Sequence, residues 1–181
     1  VRVHHMTIKN PGWSPNTDGI DIDSTQKVHI EDCRFSVGDD GIVIKSGLNE
    51  AGRAFGVPSA DIVIKHVKVD PMFDNLSTNG IAIGSEMSGD VRNVFISDVD
   101  IHSCEAGVYV KSMLGRGGVV ENIEFTDITA SKTLQAIRID MDYSYRRRLA
   151  QAGGRPDDED DQTQIPTFRN IIISNLHASG V

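Results

Sequence analysis

Apolar and polar residues recur along the chain in two patterns, and each pattern predicts a short β-strand. In the first pattern, apolar residues occupy positions 1, 3, 6 and 8 of an eight-residue unit. The units begin at Val1, Val28, Ile62, Val94, Ile123 and Ile171. In the second pattern, an apolar–polar–apolar–polar run follows Gly19, Gly41, Gly80, Gly107 and, with alanine in place of glycine, Ala136. Short alternating segments rich in Val and Ile are typical of strands that bury one face.

The two patterns alternate, which indicates a solenoid. Each of the first five units of the first pattern is followed by the second pattern after 13 or 18 residues, and the shortest full repeat, from Gly19 to Gly41, has 22 residues. Such a repeat cannot bury its apolar face alone and must stack on its neighbours. We therefore predict an all-β, right-handed parallel β-helix, incomplete at both ends, that forms a single domain over residues 1–181. An antiparallel sandwich also uses many short strands, but it gives no reason for the glycine pattern to recur in register.

The longer repeats contain insertions, at residues 47–60, at 71–77 and at about 143–166. The last is a polar loop in which an arginine run precedes an acidic run, and this composition is typical of a solvated segment. No segment shows a convincing helical period over a useful length.

Composition excludes some partners. The net charge is −8, with 24% charged and 39% hydrophobic residues, so we expect no binding to nucleic acid or to an anionic membrane surface. No apolar run has the length of a membrane span.

The repeats place Cys33 and Cys104 two coils apart, about 9–10 Å at strand spacing, whereas a disulfide needs Cα atoms within about 7 Å. We predict two free thiols and a full-length protein that is a monomer.

Acidic residues precede the second pattern in two consecutive repeats. Asp18 and Asp40 stand directly before the glycine, and Asp39 stands beside Asp40. Equivalent positions of adjacent coils lie about 4.8 Å apart, so we predict one site with three carboxylates. Mutual repulsion in a partly desolvated cleft raises the pKa of at least one of them. A protonated acid beside an ionised carboxylate suits hydrolysis of a glycosidic bond. A single turn aspartate more often caps backbone N–H groups, but three that converge favour a catalytic role.

The equivalent positions in the following coils supply candidate binding residues. Outward-facing Lys111 and Arg138 would line the surface beside the carboxylates, where a cation suits an anionic sugar. For Lys45 we favour a cross-strand pair with Asp23. Asp18 and Asp40, with Asp39 beside them, form what we call the carboxylate column. No histidine falls in this column, and we predict no metal and no cofactor. The predicted substrate-binding residues are Asn16, Thr78, Asn79, Tyr109 and Lys111.

Several motifs, in order and at compatible spacing, resemble the polygalacturonases of glycoside hydrolase family 28. They are Asn16-Thr17-Asp18-Gly19, Gly38-Asp39-Asp40, the segment 80–89, and Lys111 followed by the segment 115–118. The resemblance implies a parallel β-helix and metal-free, inverting hydrolysis of α-linked galacturonic acid in an acidic plant-type polysaccharide. By analogy, Asp39 is the general acid, and Asp18 and Asp40 hold and deprotonate the attacking water. An extracellular or periplasmic location is also implied.

Two positions depart from the family pattern. The family commonly has Gly-His-Gly where this chain has Ser77-Thr78-Asn79, and Arg-Ile-Lys where it has Tyr109-Val110-Lys111. The arginine would help to bind the substrate carboxylate, and tyrosine carries no charge. A changed substrate, such as a rhamnose-containing or decorated pectin, and a non-catalytic polysaccharide-binding or structural β-helix are therefore the alternatives. A calcium-dependent lyase on the same fold fits less well, because the Asn-Thr-Asp and Gly-Asp-Asp segments belong to the hydrolases.

Overall fold

The computed structural model describes residues 1–71, 78–143 and 163–180. In chain order, the elements are β1 (Arg2–His4), β2 (Thr7–Lys9), β3 (Ile20–Asp23), β4 (Gln26–Ser36), β5 (Ile42–Lys45), α1 (Asn49–Phe55), β6 (Ser59–Val69), β7 (Asn79–Ile83), β8 (Val91–His102), β9 (Ala106–Lys111), β10 (Val119–Ser131), β11 (Gln135–Asp140) and β12 (Thr167–Ser179).

The strands form two parallel sheets, and each sheet contains one of the two sequence patterns. The first sheet has the order β1-β4-β6-β8-β10-β12, with β2 also paired to β4, and the second has the order β11-β9-β7-β5-β3. In the second sheet, Ile42 pairs with Ile20 on one side and with Ile81 on the other. The chain thus alternates between the sheets as it advances, which confirms the parallel β-helix predicted from the repeats.

Apart from the short β1 and β2, the strands of the first sheet are longer than the eight-residue pattern, and each of them bends within that pattern. The fifth position of the unit has a positive φ of 49–54° in the five units from Asp32 to Asn175. Asp and Asn tolerate this left-handed conformation better than most residues. The bend explains why two polar residues stand together in the middle of the pattern, and it turns the apolar residues on both sides of the bend toward one core.

The core lies between the two sheets. Apolar residues from both patterns contribute to it, and Ile42, Ile44, Ile81, Ile83, Val108 and Val110 are fully buried. Cys33 and Cys104 are buried and free, as predicted.

Close stacking of the coils explains the recurring glycine. A Cβ atom on Gly19 would lie 2.3 Å from the carbonyl oxygen of Gly41, and a Cβ on Gly41 would lie 2.6 Å from that of Gly80. These distances are far below van der Waals contact, so only glycine fits where the next coil passes. In the described part of the chain, β11 is an edge strand of its sheet, and there the equivalent position is Ala136.

The first insertion contains a short helix that the hydrophobic pattern did not indicate. Residues 49–55 form α1, which ends at Gly56 with a φ of 62°. A helix of seven residues is too short to show a periodic pattern. Most of the other two insertions, residues 72–77 and 144–162, lies outside the described residues. Within the described ranges, no helix is long and apolar enough to cross a membrane.

Candidate active site

The turns that lead into β3 and β5 bring the three predicted carboxylates together. The backbone N–H of Gly19 donates to the carbonyl of Asp40 at 2.9 Å, and that of Gly41 donates to the carbonyl of Asn79 at 2.8 Å. Asp18, Asp40 and Asn79 therefore occupy equivalent positions in three consecutive coils. Asp39 lies beside them, and its charge acts on Asp18. The predicted convergence of the three aspartates is present.

Asp40 is the most enclosed of the three and has two side-chain partners. Its Oδ2 accepts a hydrogen bond from Nζ of Lys111 at 2.9 Å, and its Oδ1 accepts one from Nδ2 of Asn79 at 2.6 Å. Burial opposes the charge of Lys111, but the neighbouring Asp40 carboxylate and its hydrogen bond to the ammonium outweigh it and raise the lysine pKa. Lys111 and Asp40 are therefore a buried ion pair, and the amide of Asn79 binds the second carboxylate oxygen.

Asp39 has surroundings that favour its protonated form. Burial is the largest cause of its raised pKa, and the neighbouring Asp40 charge adds to it. Lys111 and the backbone N–H groups of Asp40 and Asn16 act in the opposite direction without cancelling the rise. The N–H of Asp40 donates to Oδ1 of Asp39 at 2.9 Å. The side chain is thus fixed by backbone donors while its proton affinity is increased.

Asp18 also has a raised pKa, of about 6, because of burial first and then the charges of Asp39, Asp40 and Asp21. Lys45 opposes this rise, with its Nζ 3.5 Å from Oδ2 of Asp18. The same ammonium forms an ion pair with Asp21.

The expected pair between Lys45 and Asp23 is wrong, although their Cα atoms are partners in the β3–β5 ladder. One oxygen of Asp23 instead accepts hydrogen bonds from the N–H of Gly47 and the hydroxyl of Ser24. The Lys45 side chain extends toward the carboxylate column, where its Nζ donates hydrogen bonds to Asp21 and Asp18.

Asn16 and Thr17 fix the turn that carries Asp39. The Thr17 hydroxyl donates to the carbonyl of Ser14 at 2.9 Å and accepts from the N–H of Gly38 at 3.0 Å. The described contact of Asn16 with the site is the hydrogen bond of its backbone N–H to Asp39. These bonds join the turn before β3 to the turn before β5.

Thr78 and Asn79 lie inside the site. Thr78 has no exposed surface, and its hydroxyl donates to the carbonyl of Val37 at 3.1 Å. Asn79 is also buried and binds Asp40. Both residues therefore support the turn and the carboxylate, and the expected substrate contact of Thr78 finds no support in these contacts.

Tyr109, which stands where the family has arginine, is covered by a guanidinium from the next coil. Arg138 is its strand partner in β11, and the Arg138 guanidinium carbon lies 4.3 Å from the centre of the Tyr109 ring. Arg138 also donates to Glu105 at 3.0 Å and to Asp140 at 2.8 Å. Burial raises the pKa of the Tyr109 hydroxyl, so the ring stays neutral.

Tyr143 completes this side of the site. Its ring packs edge-on against Tyr109, with 6.5 Å between ring centres, and lies 5.3 Å from Nζ of Lys111. The second sequence pattern indicated the position of Arg138, because it aligns Arg138 with Tyr109. Nothing in the patterns indicated Tyr143, which follows β11 outside any repeat. Lys111 is therefore enclosed by Asp40 and two aromatic rings.

The arrangement combines a carboxyl group of raised proton affinity with a carboxylate held by a buried lysine. Such a pair can give a proton to one atom and accept a proton from another in the same reaction. Among residues 1–71, 78–143 and 163–180, no cluster of His, Cys, Asp or Glu has an arrangement that could hold a metal ion.

Comparisons with known proteins agree with this arrangement. The model of the glycosyl hydrolases family 28 matches residues 1–154. A probable polygalacturonase from Vitis vinifera is 32% identical over 181 residues, which cover 100% of this chain and 34% of that protein. An endo-polygalacturonase from Pectobacterium parmentieri is 32% identical over 137 residues, 76% of this chain and 31% of that protein.

Among solved structures, a hyperthermoactive exopolygalacturonase from Thermotoga maritima superimposes with a TM-score of 0.81 and 35% identity. The match covers 98% of this chain and 36% of that one. The chain thus spans about a third of the length of the relatives it matches.

Proposed function

The chain belongs to glycosyl hydrolase family 28, and from this membership we propose that it hydrolyses a pectin-type polysaccharide that contains galacturonic acid, with inversion at the anomeric carbon. The observation that carries the proposal is the carboxylate column. Asp39, with a raised pKa, lies next to Asp40, whose carboxylate is paired with the buried Lys111. Inverting glycosidases require this combination of a proton donor and a base.

Asp39 is the general acid of the proposed reaction. It gives its proton to the glycosidic oxygen as the bond from that oxygen to the anomeric carbon breaks. The hydrogen bonds from the backbone N–H groups of Asp40 and Asn16 hold its side chain in place. Burial and the Asp40 charge keep the proton on Asp39 at a higher pH than an exposed aspartate would allow.

Asp40 and Asp18 are the base side of the proposed reaction. A water molecule held between the base and the anomeric carbon attacks that carbon from the face opposite to the leaving oxygen, and its proton passes to one of the two carboxylates. The gap needed for this water is about 6.5–9.5 Å between the acid and base carboxyl groups. Lys111 and Asn79 hold both oxygens of Asp40 and so fix its orientation.

The substrate class rests on the relatives, which are polygalacturonases from plants and bacteria. An acidic sugar chain would meet the cations Lys111 and Arg138 along the second sheet. Each of these is already bound to a carboxylate of the protein, so the charge available to the substrate differs from that of a free arginine. We also propose an extracellular or periplasmic location and a monomeric full-length protein.

A non-catalytic polysaccharide-binding or structural β-helix gains no support. Tyr109 replaces the usual arginine, but Asp18 and Asp40 share one column and Asp39 lies beside it. Carboxyl groups of raised pKa beside a specific charged partner cluster at functional sites.

The test is release of new reducing ends by the full-length protein from polygalacturonate and, separately, from rhamnogalacturonan. We expect activity on one of them and a loss of 10²-fold or more, the order of a general-acid contribution, in Asp39→Asn. The matched control is Asp61→Asn, an exposed carboxylate on β6 that binds Asn93. Unchanged activity in Asp39→Asn would contradict the proposed acid, and an inactive wild-type protein would contradict the proposed function.

A further inference from the structure

Lys45 contacts a different carboxylate of the column from the one that Lys111 binds: Lys45 approaches Asp18, and Lys111 binds Asp40. It lies at the end of β5, and its ammonium binds Asp21 and approaches Oδ2 of Asp18 at 3.5 Å. The Lys45 side chain is 25% exposed and that of Asp18 is 15% exposed. The lysine therefore acts on Asp18 from a partly desolvated position, where a charge is weakly screened.

The backbone around Lys45 fixes this direction. Its carbonyl accepts hydrogen bonds from the Ser59 hydroxyl at 2.6 Å and from the N–H of Ser24 at 3.2 Å. Its strand partner Asp23 is occupied by the N–H of Gly47 at 2.9 Å. With Asp23 engaged in the loop that leads to α1, the ammonium is directed toward Asp21 and Asp18.

More negative than positive charges act on Asp18. Asp39 and Asp40 face it from the turn before β5, and Asp21 faces it from β3; all three disfavour its ionised form. Lys45 favours the ionised form, and Lys111 is bound to Asp40. Burial lowers the pKa of Lys45, but its bond to Asp21 and the nearby acidic charges give a net rise, so its ammonium stays charged wherever Asp18 titrates.

We propose that Lys45 is a positioning residue that bridges Asp21 and Asp18, favours the ionised form of the Asp18 carboxylate, and thereby sets the lowest pH at which this site can activate water. Asp21 holds the Lys45 ammonium in place, and the positive charge favours the ionised form of Asp18. The kinetic part rests on the proposed function, because it assigns Asp18 to the base side of the hydrolysis.

The charge of Lys45 can be removed with little change in shape by Lys45→Met. We expect the pKa of Asp18 to rise by about one unit, the lower end of the effect of an opposite charge at this distance. The acid limb of kcat/KM against pH should move up by the same amount. Activity well below the pKa of Asp18 should then fall about tenfold, while the plateau at higher pH stays within about twofold. Lys45→Arg should restore the wild-type profile.

The first measurement does not depend on activity. The side-chain carboxyl carbon of Asp18 is titrated by NMR in the full-length protein and in Lys45→Met, with Asp18→Asn for assignment and Lys45→Gln if the methionine variant does not fold. Lys68→Met is the matched control, because Lys68 pairs with Asp100 on the other sheet. A raised Asp18 pKa in Lys45→Met alone is the expected result, and an unchanged titration overturns the proposal.

The second measurement is the pH profile of kcat/KM on the substrate that the wild-type protein cleaves. A shifted Asp18 titration with an unmoved acid limb overturns the catalytic part, because Lys45 would then act on a group that the reaction does not use. A lower plateau without any shift of the limb would mean that Lys45 is only structural. An inactive wild-type protein overturns the proposed function and the kinetic part with it, and the titration still decides whether Lys45 controls Asp18.

Discussion

Nζ of Lys111 lies 2.9 Å from Oδ2 of Asp40, and these two side chains are only 8% and 3% exposed. The pair joins β9 to the turn before β5, across the coil that contains β7. Removing one partner of a buried ion pair leaves the other charge unpaired in a region of low dielectric. This contact therefore links the stability of the fold to the chemistry of the site.

Lys111→Met should lower the free energy of unfolding by about 3–5 kcal/mol, the usual cost of an unpaired buried charge. Lys111→Met combined with Asp40→Asn should be less destabilised than the sum of the single variants, because no unpaired charge remains. Urea unfolding of the full-length protein and of the three variants measures this coupling. Additive effects would mean that the pair has no energetic coupling.

Asp18→Asn should raise stability at pH 7 and abolish activity. The pKa of Asp18 is about 6 in the folded protein against about 3.9 in an unfolded chain. Between these values the folded state binds more protons than the unfolded state, so the contribution of Asp18 to stability is present below about pH 4 and is lost as pH rises through 6.

At pH 7 the asparagine variant should gain about 2 kcal/mol, and the gain should vanish below about pH 4. Unfolding midpoints measured from pH 3.5 to 7.5 test the pH window, with Glu50→Gln on the exposed surface of α1 as the control. A variant that is destabilised at pH 7 would contradict the raised pKa.

Arg138→Met should weaken binding of an acidic substrate more than it slows the reaction. Arg138 balances Glu105 and Asp140, and without it both carboxylates would repel a galacturonate chain. We expect KM for galacturonan oligomers to rise about tenfold, with kcat within about threefold. Arg34→Met, which removes an exposed guanidinium paired with Asp70 on the first sheet, is the control. Equal losses in kcat and kcat/KM would assign Arg138 a role in the transition state instead.

Gly41→Ala should destabilise the protein and disturb Asp40. The added methyl group would lie 2.6 Å from the carbonyl oxygen of Gly80 and 2.8 Å from the Val69 side chain, and overpacking of this kind costs about 1–3 kcal/mol. The reverse change at the equivalent edge position, Ala136→Gly, should cost under about 1 kcal/mol. Urea unfolding of both variants compares them, and equal costs would contradict the stacking explanation for the glycine column.

Much of the fold and the core of the site could be predicted from the sequence, because in a solenoid the repeat fixes which residues share a rung. The alignment of Asp18 with Asp40 and of Tyr109 with Arg138 follows from the glycine pattern alone. The direction in which a side chain extends from its coil does not follow from this pattern. Lys45 contacts Asp21 and Asp18 and not its ladder partner Asp23, one oxygen of which binds Gly47 and Ser24, and the repeat does not encode this choice.

Contacts made by residues outside the repeats also escaped prediction. Helix α1 is too short for a periodic pattern, and Tyr143 follows β11 in a segment without internal similarity to other segments. Tyr143 nevertheless lies beside Lys111 and Tyr109. The sequence indicated an uncharged Tyr109 in place of the usual arginine, and the structure adds that the Arg138 guanidinium covers the Tyr109 ring.

The stereochemistry of the first product tests the central claim most directly. The full-length protein is mixed with galacturonan oligomers, and the anomeric protons of the new reducing end are followed by NMR before mutarotation. The account predicts that the α-linked substrate first gives the β-anomer. It also predicts that Asp39→Asn forms this product far more slowly than the wild-type protein. A first product with the α-anomeric configuration, or an unsaturated product formed by elimination, would contradict it.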